Sequence, residues 1–250
     1  MSAARSAPQV AVHRAAERFV TRTDWLHSAH SFSFGSHFDP ANTSHGLLVV
    51  HNEDIVSPGG GFDTHRHADM EIITWVLSGA LAHEDSTGRR GVLTPGVVQR
   101  MSAGSGVQHS ERNASGDAGG EPVHFVQMWV VPDELGVSPG YQQRTVADQL
   151  ADGALVPVVS GLGHRTDAAV RLGSSRAAFL VARLGAGASV QLPDAPYVHL
   201  FVARGAVTMD GTGELSRGDA ARLTSGGRPR VTADVPTELL VWEMYADLGG

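Results

Sequence analysis

The chain has 250 residues, 42% hydrophobic and 18% charged, a globular balance that excludes global disorder. A formal net charge of -7, with no cluster of Arg and no Lys at all, argues against a nucleic-acid surface. The absence of Cys removes disulfides, thiolate metal ligands and a cysteine nucleophile, so any metal must rest on His and carboxylates.

Residues 1–12 carry no apolar run of the signal-peptide kind, and no stretch reaches the roughly 18 apolar residues of a membrane helix. The expectation is a cytoplasmic protein with no membrane contact. Short runs rich in β-branched and aromatic residues fall at 47–50, 71–77, 92–93, 125–131, 155–159, 179–181, 200–203 and 239–242. Gly, Pro, Asp or Ser closes each, so they read as strands. Residues 145–151 could form one or two helical turns. Many short strands and few helices predict an all-β barrel or sandwich.

Eleven of the 13 histidines lie between His13 and His124, which puts the chemistry in the first half. The first cluster, His30, Phe32, Phe34, His37 and Phe38, could flank a planar substrate, but Phe32 and Phe34 are read here as strand residues packed on a barrel exterior. Next comes Gly59-Gly60-Gly61 leading into His65-Arg66-His67. These glycines precede a strand rather than a helix, so they are not a phosphate cradle. His109-Ser110-Glu111 forms a second pair at i, i+2. On strands that spacing points both members of a pair to one face, so two adjacent strands would gather three imidazoles and one carboxylate. Such a donor set suits Fe, Mn, Ni, Cu or Zn better than Mg or Ca. Gln99 and Met101 share a face on the approach to His109, where either both line a barrel mouth or Met101 fills core and Gln99 caps a turn. Trp129 is read as core, His124 and Gln127 stay ambiguous, and His45, His51 and His83 need no role beyond surface or loop positions.

An internal repeat relates the two halves. Residues 73–81 align with 199–207 at an offset of 126, and 91–96 with 213–218 at an offset of 122. At these offsets positions 65, 67, 109 and 111 fall on Gln191, Pro193, Val231 and Ala233. The second module therefore keeps the strand pattern without the histidines. The segment 132–153, rich in Pro, Gly, Gln and Asp, reads as the connection.

The Gly-rich approach to His65-Arg66-His67, followed by Gly79, Gly91, Pro95-Gly96 and His109-Ser110-Glu111, resembles the two-part motif of the cupin superfamily. With Trp25-Leu26, His30-Ser31-Phe32-Ser33-Phe34 and Val98-Gln99-Arg100-Met101-Ser102-Ala103-Gly104, the chain is similar to the pirin family of bicupins over essentially its whole length. The resemblance implies two tandem cupin barrels, 1–138 binding metal and 139–250 lacking its ligands. It implies one divalent transition metal, Fe(II) before Ni, Cu, Mn or Zn, on His65, His67, His109 and Glu111. Glu71, where other cupins place a ligand, is left as a supporting acid or a strand-end charge. Some pirins are quercetin 2,3-dioxygenases, which would make Glu111 the acceptor of a flavonol hydroxyl proton and a small planar phenol the substrate. The alternative is a redox-sensitive iron protein that regulates through a protein partner. Direct nucleic-acid binding is not expected, and a monomer is.

Overall fold

A computed structural model describes residues 8–116 and 119–249; most of the 1–12 stretch discussed above lies outside them. Regular structure among these residues is almost entirely strand, arranged as two similar modules. In the first, a seven-stranded sheet runs Gly140–Thr145, Val97–Ser102, Glu71–Ser78, Val123–Val130, Leu48–Val56, Leu26–His30 and Phe19–Arg22. Its partner is a four-stranded sheet of Gly61–His67, Val107–Asn113, Leu81–Asp85 and Arg90–Leu93. The second module repeats the plan, with Ser189–Gln191, Arg230–Ala233, Ala206–Met209 and Gly213–Ser216 as its small sheet. This is the all-β, tandem-barrel architecture of a bicupin. The helical turns anticipated at 145–151 reduce to a single 3-10 turn, Asp148–Leu150. No helix among the described residues is long and apolar enough to cross a membrane.

The large sheets read as continuous apolar runs because both of their faces are buried. On Glu71–Ser78, the residues Ile73, Trp75 and Leu77 face a core shared with Phe179, Trp242 and Met244 of the second module, while Ile72 and Val76 face their own barrel. A two-residue period with both faces apolar is what sheet-on-sheet packing imposes. Buried Trp75 also donates from Nε1 to Glu238 Oε1 at 2.7 Å across the seam. Strands are exchanged as well. Gln9–His13 pairs with Ala220–Thr224 of the second module, and Gly140–Thr145, beyond position 138, pairs with Val97–Ser102 of the first.

The barrel interiors differ in a way that locates the site. A single aliphatic cluster that includes Leu180, Leu192, Leu200, Val231 and Val241 fills the second. In the first, the apolar side chains split into two small groups, around Phe125 and around Met101. Buried His83, His109, Glu111, Gln99 and Thr74 lie on the same sheets. Burying so many polar groups costs free energy unless they are hydrogen-bonded or coordinate something.

The repeat is real, but its register shifts along the chain. Ala114 N–H donates to Ala80 O and Asp234 N–H to Ala206 O, so Glu111 corresponds to Val231, an offset of 120. Opposite, His65 faces His109 where Leu192 faces Pro229. The counterparts of His65, His67, His109 and Glu111 are therefore Leu192, Asp194, Pro229 and Val231, rather than the four read from fixed offsets. A longer turn at 103–106 and an extra residue in the 68–69 turn cause the slip.

Candidate metal centre

Strands Gly61–His67 and Val107–Asn113 run antiparallel, with His109 opposite His65 and Glu111 opposite Phe62. Three residues on one strand thus match two on the other, a bulge that re-aims His65. Gly61 permits the close pairing, because a Cβ there would lie 2.6 Å from the carbonyl oxygen of Glu111. The ring centroids of His65 and His109 are 4.5 Å apart, those of His65 and His67 4.8 Å, and those of His67 and His109 4.9 Å. A donor atom from each of these three imidazoles lies within 4.8 Å of the other two. Glu111 groups with His109 and His83 by the same measure.

The donors are in the state that a cation needs. Burial, reinforced by repulsion from His65, His67 and His83, pushes His109 down to about 2. Burial and then His65 push His67 down to about 4. Both imidazoles are therefore neutral at pH 7, with a lone pair free. His65 Nδ1 lies 2.7 Å from the Asp63 carbonyl oxygen, which fixes that nitrogen as N–H and leaves Nε2 as the donor. Buried His67 Nε2, His109 Nε2 and Glu111 Oε1 have no hydrogen-bond partner. Buried polar atoms without a partner are donors that a bound cation would satisfy. Three imidazoles and a carboxylate fit a divalent transition metal.

Glu111 is held from behind. Gln127 Nε2 donates to its Oε2 at 2.7 Å, and Trp129 Nε1 donates to Gln127 Oε1 at 3.0 Å. Burial raises the Glu111 carboxyl to about 7 against the pull of the Gln127 bond. Beside it opens a cavity of about 510 Å³ walled by Trp25, Phe34, Phe62 and Trp129, with Ser28, His30, Asn52 and Asp54 among its polar lining. Trp129 stands edge-on to His67 at 4.8 Å and to Phe34 at 5.8 Å.

Several sequence readings change here. Phe34 lines this cavity, with His30 beside it, rather than packing on a barrel exterior, whereas Phe32 is buried at the module seam under the Arg222 guanidinium. Trp129 is a cavity wall, not core. Glu71 is neither at the centre nor a loose charge: its Oε2 accepts from Gly173 N–H at 2.9 Å and joins the modules. Met101 fills core, and Gln99 accepts from Tyr141 Oη at 3.0 Å. His124 sits 2.8 Å from Glu53, while His51 and His199 are buried at the seam with their rings 4.9 Å apart and tilted by 57°. His83, dismissed from the sequence, is buried against His109. The signal for it was present, since Leu81, His83 and Asp85 alternate on one strand and all three are buried. Gln127 and Trp129 likewise share the inward row of Phe125.

The family model described as Pirin matches residues 12–130. A protein of Mycobacterium tuberculosis (strain ATCC 25618 / H37Rv) named "Putative quercetin 2,3-dioxygenase" is 55% identical over 240 residues, 96% of this chain and 97% of that protein. The Escherichia coli (strain K12) protein named quercetin 2,3-dioxygenase is 43% identical over 133 residues, 53% of this chain and 56% of its own length. Among solved structures, the bacterial pirin YhhW of Escherichia coli in complex with nickel(II) superposes with a TM-score of 0.85 at 30% identity, covering 96% of this chain and all of that one.

Proposed function

This chain belongs to the pirin family, and on that premise we propose that it is a dioxygenase opening the heterocycle of a flavonol such as quercetin at one mononuclear metal site. The ligands are His65, His67, His109 and Glu111, and Fe(II) is the favoured ion, with Ni, Cu, Mn or Zn as alternatives. The carrying observation is that His65, His67 and His109 gather donor atoms within 4.8 Å of one another beside an aromatic-walled cavity of about 510 Å³ that Glu111 also lines.

Four protein ligands leave room for a substrate oxygen on a five- or six-coordinate ion, as a closed structural site does not. A divalent ion bound there would supply Lewis-acid polarisation and the redox partner that dioxygen chemistry requires. The remaining work falls to the chain. With one carboxylate the centre carries a local charge of about +1, which favours an anionic oxygen such as a deprotonated flavonol hydroxyl. Glu111 accepts that proton, its other oxygen held by Gln127. Trp25, Phe34, Phe62 and Trp129 stack against a planar ring system and exclude water.

The test is aerobic turnover of quercetin by protein loaded separately with iron, nickel and copper, followed by carbon monoxide release. Turnover that disappears in H65A and E111Q supports the proposal, and no turnover with any of these metals refutes it.

A further inference from the structure

Against His109 lies a second imidazole, whose donor atom is also within 4.8 Å of a Glu111 oxygen. His83 Nδ1 is 3.4 Å from His109 Nδ1, with the ring centroids 5.2 Å apart. His83 Nε2 is in turn 3.4 Å from Asp85 Oδ2. All three side chains are buried. The other Asp85 oxygen, Oδ1, accepts from Thr87 N–H at 2.9 Å, Thr87 Oγ1 at 2.7 Å and Arg89 N–H at 3.1 Å, so the tight turn at 85–89 pins the carboxylate. Tyr141 covers the outer face of His83, its ring centroid 5.1 Å away.

Hydrogen-bond logic assigns every proton in this row. A carboxylate only accepts, so His83 carries its hydrogen on Nε2 and presents the Nδ1 lone pair to His109. His109 must then carry its hydrogen on Nδ1, which leaves its lone pair on Nε2. That nitrogen is the buried, unpartnered one.

We infer that Asp85 and His83 are positioning residues for the metal centre, a carboxylate–imidazole–imidazole row that fixes the tautomer and ring orientation of His109 and strengthens its donor nitrogen. The inference rests on the metal reading above. Partners of this kind behind a ligating histidine typically govern metal affinity by about 10–100-fold.

Nickel(II) titration against a competing chelator tests it, with ligand-field spectra as a second readout and circular dichroism of each metal-free variant as the folding control. H83L removes the acceptor behind His109. H83Q restores one, because the glutamine Oε1 can take the His109 proton without help from Asp85. D85N keeps an oxygen on the turn donors but aims its amide at His83 Nε2, which favours the opposite His83 tautomer and turns a donor toward His109. H83L and D85N should each weaken nickel binding by about 10–100-fold and shift the ligand-field bands. H83Q should keep most of the affinity, and D85N should have no further effect in the H83Q background. Folded H83L and D85N that bind nickel like the native protein overturn the inference, as does an undiminished D85N effect in H83Q. A second equivalent of nickel, present in the native protein and lost in H83L, would make His83 a ligand and overturn it too. Failure of the native protein to take up nickel removes the metal proposal along with it, an outcome distinct from the others.

Discussion

Asp54 lines the proposed substrate cavity, fully buried on strand Leu48–Val56, with Oδ1 unpartnered. Burial raises its carboxyl to about 7, the Ser28 hydroxyl opposes that rise, and the neighbouring Glu53 charge adds to it. Its unfolded value is 3.8. A folded value above the unfolded one means stability fully present below about pH 4 and lost as pH climbs through about 7. A rise of about three units corresponds to roughly 3–4 kcal/mol between those limits. An asparagine in this place has nearly the same shape and cannot ionise. In metal-free protein, Asp54→Asn should therefore gain about 3–4 kcal/mol relative to the native chain between pH 4 and pH 8. Urea denaturation at unit pH steps, with midpoint and slope fitted together, measures the difference. Parallel stability profiles for the two proteins would refute the reasoning, because they would mean that Asp54 carries no ionisation penalty. Such a carboxyl also bears on function: near neutral pH about half of the molecules keep the proton and can donate a hydrogen bond to a substrate oxygen, as the amide of the variant also can.

The remaining predictions probe the frame around the site. Burial pushes Glu53 up, but the His124 hydrogen bond and the Arg18 guanidinium at 2.6 Å hold its carboxyl down at about 2. Its contribution to stability is thus present above about pH 4.5 and lost as pH falls toward 2, and Glu53→Gln should cost about 3–5 kcal/mol at pH 7 by leaving Arg18 buried and unpaired. Phe32→Ala at the seam should cost about 3–5 kcal/mol in denaturant melts, since Arg222 and His199 of the other module rest on that ring. Gly61→Ala should destabilise by about 1–3 kcal/mol and weaken nickel binding together, because its Cβ would press on Glu111 O and Arg112 Cα, 2.6 and 2.7 Å away. A Gly61→Ala protein with native nickel affinity would mean that the close strand pairing does not set the ligand geometry.

Local rules made the two histidine-bearing pairs legible. Alternation puts i and i+2 on one face whatever the rest of the chain does, so His65 with His67 and His109 with Glu111 could be paired before any strand was placed. The apolar runs were equally legible, and the repeat disclosed two modules. What could not be read was register. A one-residue slip reverses every side chain of a strand, and the extra residue in the 68–69 turn and the longer turn at 103–106 each move the alignment without a compositional mark. The four counterparts in the second module were displaced for that reason, although the lack of histidine there was evident from the absence of His after His199.

The supporting residues belong to the same category. Alternation puts His83 in the row of Leu81, and Gln127 and Trp129 in the row of Phe125, but only the pairing of Leu81–Asp85 and Val123–Val130 with their neighbours brings them to the centre. Phe32 and Phe34 stand two apart, yet one fills the seam and the other a cavity wall, because the chain has left its strand at His30 and period-two alternation no longer applies. Which atoms can bind a cation follows from residue chemistry and local periodicity, and both are written in the chain before it folds. What stands behind those atoms, and what walls the cavity beside them, depends on contacts between distant strands. Turns, bulges and the packing of one module on the other set the register of those strands, and so the fold alone makes that choice.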